Sequence, residues 1–367
     1  MKFSLFISAI LFTISANAQD CNSELLVKTM GILKADSPAG GRGLKAEDLA
    51  KNKEVLASIN RMIKSSYAPM GVDAVFHENY GSPSLNWQPN GYSYSIIPLN
   101  YYCEGNTIRT AHETSTYFSI STNIFDAEIY DTAQGDRLSA EGFNVLNFMP
   151  VEKDGYWYFK ETDVSLGFGM TGKSNAWLIT HNGKLPFAYV TKKEFLEKRK
   201  LALSNQMLQS SSGFKDVLNN NEIGKKYKEA EFKTDPEKLK EYMRMDYQPI
   251  KERYEKLLSD NEKEIKPAFD KIETQLKIPA DELNKQAIVK TDPNDHLSYL
   301  FTDANDPFGK ILIKPNPGYF NKKLHKSSPQ FFWVHVSGNH KEPIATKFMT
   351  DIVKAVDFAV LKNMLGK

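Results

Sequence analysis

Two cysteines among 367 residues are too few for a disulfide scaffold, so a chain this long has to bury a core of its own. Neither sign of charge dominates. Lys and Arg number 47 against 45 Asp and Glu, a net charge of +2, or +1 without Lys2. That balance leaves no basic footprint for nucleic acid and no basic run for an anionic membrane. After the first 18 residues, no apolar run is long enough to cross a bilayer. Complete catalytic motifs are missing too. G-x-S-x-G does not occur. Ser212-Gly-Phe-Lys215 matches S-x-x-K and Ser337-Gly-Asn339 matches a second element of penicillin-binding enzymes, but no K-T-G follows. No cofactor is expected.

What the chain does contain begins with MKFSLFISAILFTISANA. Lys2 supplies a positive n-region, Phe3 to Ile14 an apolar h-region, and Ala16-Asn17-Ala18 a cleavage site. This pattern predicts a signal peptide over 1–18, cut after Ala18, and a secreted or periplasmic protein with no stable membrane anchor. Cys21 and Cys103 both survive the cut. In an oxidising compartment an even count predicts a disulfide between them, with two buried thiols as the alternative. Such a bond closes a loop of roughly 80 residues, worth at most about 4–5 kcal/mol in the chain-entropy model.

The residue pattern predicts an α+β protein. Val55, Ile59 and Met62 make a helical stripe within 49–66. From about residue 72 the period becomes two, in YSYSIIPLNYYCE (92–104), NTIRTAHETSTYFSIS (106–121), GYWYFKE (155–161) and SNAWLIT with LPFAYV (174–190). One helix followed by an antiparallel meander is the order of cystatin-like folds, an analogy of fold and not of function. These elements make an α+β domain over 19–190. Thr191-Lys-Lys-Glu194 is a capping box that opens a charged helical arm over 191–290. The arm holds 22 Lys/Arg and 19 Asp/Glu. Asp235-Pro236 restarts its second helix, whose seam runs through Leu239, Met243, Tyr247, Ile250, Tyr254 and Leu257. Gln209 to Gly213 and Asn219-Asn220-Asn221 should interrupt or turn the first helix. Pro249 and Pro267 should kink the second. A β/α module over 291–367, with Ile311-Leu312-Ile313, Phe331 to Val336 and a helix from Pro343, should pack on the first domain.

GFGMTGKS, Gly167 to Ser174, satisfies the phosphate-loop pattern. A phosphate loop requires a following helix, whose N-terminus holds the phosphates. Here two strand-like runs flank Asn182-Gly183, a hairpin signal, and no room remains for a helix. The match excludes itself, and no nucleotide is expected. His77-Glu78 and His112-Glu113 begin like H-E-x-x-H, but Gly81 and Thr116 stand at the second histidine. His335 shares a strand face with Phe331 and Trp333, which suits a packed histidine. Asp292-Pro-Asn294-Asp295 and Asp303-Ala-Asn305-Asp306 read as Asx turns, because calcium-ligand spacing fails. No metal site is expected. Trp87, Tyr92, Tyr94, Tyr156 and Trp157, set among amides, are candidate rings for stacking on a ligand, with the strand core as their competing role.

WLITHNGKLPFAYVTKKEFLEKRK (177–200), KPNPGYFNKKL (314–324) and SSPQFF (327–332) resemble segments of uncharacterised secreted proteins of Bacteroidota. The resemblance implies an exported setting and carries no activity, cofactor or catalytic residue. The expected function is a non-catalytic binding or interaction protein of the cell envelope, its partner an envelope protein, a peptide or a glycan. The competing expectation is an extracellular hydrolase assembled from scattered residues such as His77, His112, Asp292 and His335.

Overall fold

The computed structural model describes residues 21–84, 88–124, 143–146, 149–167 and 169–367, apart from the side chains at 182 and 296. The segment 1–18, expected to be a signal peptide, and Trp87 lie outside the described residues. In chain order the strands are β1 (Leu33–Ala35), β2 (Val72–Ser82), β3 (Gly91–Glu104), β4 (Thr107–Thr110), β5 (Tyr117–Thr122), β6 (Asn144–Leu146) and β7 (Val151–Lys153). There follow β8 (Tyr156–Gly167), β9 (Met170–Thr180), β10 (Phe187–Tyr189), β11 (Ile288–Asp292), β12 (Asp295–Phe301), β13 (Lys310–Pro315) and β14 (Phe331–Gly338). The helices are α1 (Ser23–Lys28), α2 (Ala46–Ser66), α3 (Lys192–Glu231), α4 (Pro236–Tyr242), α5 (Gln248–Gln275), α6 (Ala280–Leu283), α7 (Pro343–Lys354) and α8 (Phe358–Met364). The protein is α+β.

Contacts divide the chain into two units. The first holds 1–123, 161–176 and 325–367; the second holds 124–160 and 177–324. In the first, a sheet runs β1-β2-β3-β5-β14-β9-β8, with β4 on β3. Strand alternation decides what each side chain meets. Phe76, Tyr94, Ile96, Phe118, Ile120, Val334 and Val336 share the face that carries the core. The expected stripe of α2 covers it, with Val55, Ile59 and Met62 buried and Asn60 accepting a 3.4 Å hydrogen bond from the Tyr94 hydroxyl. Pro343 opens α7 as its first-turn residue, and Phe348 meets Tyr67 edge-on at 6.0 Å. Cys21 and Cys103 are bonded, tying the segment before α1 to β3.

The second unit is built on a five-stranded sheet, β10-β13-β11-β12 with β6 on β13. Here two expectations fail. Residues 174–190 do not form a hairpin around Asn182-Gly183. The chain turns through a short 3-10 segment, His181–Gly183, and β10 pairs with β13 instead of β9. Pro186 has no N–H to give a ladder with β9. The Pro186 carbonyl instead accepts the Asn316 N–H at 2.9 Å, and Asn316 Nδ2 donates to the Leu185 carbonyl at 3.2 Å, which holds this segment beside β13.

The second failure is in the arm. α3 runs unbroken for 40 residues through both stretches expected to interrupt it. Its partner helix supplies what local propensity lacks. Asn221 Nδ2 donates to the Tyr247 carbonyl at 3.0 Å, and Asn261 Nδ2 donates to Ser211 Oγ at 3.4 Å. Thr191 caps α3 through the Glu194 N–H, and Asp235 caps α4 through the Lys238 N–H. A π-helical turn, Met243–Tyr247, joins α4 to α5, which has Pro249 in its first turn and Pro267 inside. The base of the arm is core. Leu203, Ile265, Ala268, Ile272 and Leu283 are buried with Phe143, Val289 and Leu297.

Candidate functional site

The phosphate-loop match resolves into ordinary strand chemistry. Gly167 and Gly169 take φ of +84° and +75° between β8 and β9, and a strand follows where a phosphate site needs a helix. Lys173 lies 2.9 Å from Asp163 and 3.5 Å from Glu161, and its hydrogen bond holds the Asp163 carboxyl below the usual range. Ser174 Oγ is 2.8 Å from Nε2 of the buried His335.

That histidine belongs to a polar row on the sheet face opposite α2. His77 is paired with Ser95, Ser95 with Ser119, and Ser119 with His335, so four strands carry one line of imidazoles and hydroxyls. The next row is Asn79, Ser93, Ser121 and Trp333. On the other side Val75 is paired with Ile97, and Tyr117 with Ser337. At the outer end the Asp36 N–H donates to the Phe76 carbonyl at 2.9 Å, which sets Asp36 beside His77. Asp36 Oδ2 lies 3.2 Å from His77 Nδ1, and their side chains are 54% and 28% exposed.

The row is open at one end and closed at the other. Ser93 and Ser95 are half-buried and Asn79 is exposed, whereas Ser119, Ser121, Trp333, His335 and Ser337 are buried. Asn79 Oδ1 accepts the Gly81 N–H at 2.9 Å. Asp36 and His77 form an ion pair when the imidazole is protonated, at the solvent-facing end of the row.

The residues singled out by sequence are scattered. His77 and His335 share the row, but His112 is exposed in the loop before β5. Asp292 lies in the second unit, where it is ion-paired with Lys271, whose hydrogen bond lowers its carboxyl. Tyr92 and Tyr94 are 1% and 0% exposed, because even-numbered positions of β3 face the core, so neither ring can reach a ligand. Tyr156 and Trp157 are half-buried, and Trp157 Nε1 donates to the Gly183 carbonyl at 3.1 Å. Tyr158 and Trp177 sit with rings 5.7 Å apart in the same unit.

The acidic loops are turns, as their spacing implied. Asp303 and Asp306 accept the backbone N–H groups of Asn305 and Phe308, and Lys290 is 2.7 Å from Asp306. Among the described residues no group of three or more His, Cys, Asp or Glu is arranged to hold a metal ion. Sequence reasoning missed Asp36, Ser95 and Asn79. Period-two hydroxyls in YSYSI, YFSIS and WVHVS were the available signal, but only the register aligns them. Comparison with protein-family models, with curated proteins and with solved structures finds no match to this chain.

Proposed function

We propose that the protein is exported, cut after Ala18, and works in the cell envelope by docking a partner protein or peptide along the outer face of α3. One observation carries this reading. In an arm laced with ion pairs, residues 201–214 hold no charged side chain, and Leu201 and Leu208 are 60% and 64% exposed. Seven residues apart, they lie on one helix face. Ile223 and Tyr227, also exposed, follow about four turns further along α3. A protein or peptide suits this face better than a glycan, because Leu and Ile offer no hydrogen bonds. The Cys21–Cys103 bond is compatible with an oxidising compartment. Among the described residues no helix is long and apolar enough to cross a membrane.

The test places a photo-crosslinking amino acid at Leu208 and, as a control, at Lys266 on the charged face of α5. The reading expects a discrete adduct from 208 in intact cells, lost when Leu201 is changed to Glu. Equal crosslinking from 208 and 266 would overturn it.

A further inference from the structure

We infer that the open end of the polar row is an acyl-transfer site, with Ser95 as nucleophile, His77 as base and Asp36 as the residue that positions His77. This goes beyond the interaction reading and uses no residue of the arm, so either can fail without the other. Three observations on one sheet face meet here. Asp36 Oδ2 is 3.2 Å from His77 Nδ1. Ser95 stands directly opposite His77 in the β2–β3 register, where same-face Cβ atoms are about 4.5–5.5 Å apart. The Asn79 amide is anchored through Oδ1 by the Gly81 N–H, which leaves its NH2 to donate.

Each group has a role that its chemistry dictates. A serine hydroxyl is a poor nucleophile until a neighbouring base takes its proton. His77, with Nδ1 facing the Asp36 carboxylate, has Nε2 for that proton, and the carboxylate stabilises the imidazolium that results. Asn79 lies two residues beyond His77 on the same face, paired with Ser93, so an amide and a hydroxyl border the position of Ser95. Both donate to a developing oxyanion. On the opposite side Val75 and Ile97, a half-buried cross-strand pair, offer an apolar strip for a short acyl chain. The substrate class is therefore a carboxylic ester with a short acyl group and a polar alcohol, the alcohol lying toward exposed Asn79.

The chemistry balances without a cofactor. Ser95 Oγ bonds to the acyl carbon as its proton passes to His77 Nε2. The ester C–O bond breaks, and the leaving alcohol takes that proton. Water then gives a proton to His77 and attacks the acyl carbon; the acid departs and Ser95 Oγ recovers its proton.

The test is covalent labelling of the full chain with a fluorophosphonate probe, located by peptide mass mapping, with heat-denatured protein as background. The site expects label at Ser95 and none there in Ser95→Ala. A general base contributes ~10²–10⁴-fold, so His77→Gln should slow labelling by at least about 100-fold while its melting curve stays native. Asp36→Asn should slow labelling and change its pH profile, and Asp36→Glu should restore part of the rate; a purely structural carboxylate would leave the profile unchanged. Label absent from Ser95 in the native wild-type chain overturns the proposal. So does Ser95 labelling that His77→Gln leaves intact.

Discussion

How much of the arm can be removed follows from where its buried residues lie. Excising 200–285 deletes Leu203, Ile265, Ile272 and Leu283, each buried in the second unit's core. Truncating a buried Leu or Ile typically costs about 2–5 kcal/mol. Losing four exceeds roughly 8 kcal/mol on the same scale, comparable with the whole stability of a domain, about 5–15 kcal/mol. The second unit should not fold without them. A shorter excision should be tolerated. Ser211 and Asn261 face each other across the helical pair at 3.4 Å, and the contacts beyond them, such as Phe214 with Tyr254 and Asn221 with Tyr247, are internal to the arm. Helix axes pack about 8–10 Å apart, and extended residues span about 3.3–3.6 Å each. A linker of about four Gly and Ser residues therefore closes the gap left by removing 212–260. Near-ultraviolet circular dichroism and calorimetry would compare the two deletions. A cooperative melt is expected for the short excision and none for the second unit in the long one. A native-like melt after removing 200–285, or an unfolded product after removing 212–260, would refute it.

Three further substitutions have expected outcomes. Gly183 has φ of +68°, so Gly183→Val should cost more than about 1 kcal/mol in urea unfolding, while Lys173→Ala, which breaks an exposed ion pair, should cost at most about 1 kcal/mol. Hydrogen bonds from Lys290, Thr302 and the Phe308 N–H pull the Asp306 carboxyl down to about 2 from 3.8. Its folded value is the lower one, so its stabilisation is present above pH about 4 and is lost as pH falls toward 2. Asp306→Asn should therefore flatten the acid limb of a urea-midpoint profile between pH 4 and 2; an unchanged limb would remove this carboxylate from the account.

Features set by a few adjacent residues were legible in the sequence, and features set by register were not. The Thr191 cap, the Asp235-Pro236 start and Pro343 each act within one helical turn, and each appears where the local chemistry demanded it, although the Glu194 carboxylate of the expected box pairs with Lys314 instead. The stripe of α2 was equally plain, because a period near 3.6 is written in one segment. By contrast, α3 passes through Ser210-Ser211-Ser212-Gly213 and three asparagines as helix because residues about 50 and 26 positions away, Asn261 and Tyr247, complete its hydrogen bonds. No window along the chain contains that information. The strand over Phe187–Tyr189 is legible, but its partner is not, for a related reason. Asn182-Gly183 is a strong turn signal, but Pro186 spoils the ladder on one side and Asn316 offers a better partner on the other.

The polar row shows why the candidate site was harder to read than the fold. Asp36, His77, Ser95 and Asn79 come from three segments, and each in isolation has an ordinary explanation: a loop carboxylate, a strand histidine, a strand serine, a strand asparagine. Chemistry appears only when the β1–β2 contact and the β2–β3 register are both known. A slip of one residue in the β2–β3 register would turn Ser95 or His77 to the core face, and a slip of β1 on β2 would take Asp36 away from His77. A dense polar face is also what the strand alternation requires somewhere, since the opposite face spends its apolar residues on α2. The row's existence is thus explained by folding alone. What folding does not require is a carboxylate 3.2 Å from the one half-exposed imidazole of that row, beside an anchored amide. That is the feature on which the catalytic proposal stands, and His77→Gln separates it from the structural role.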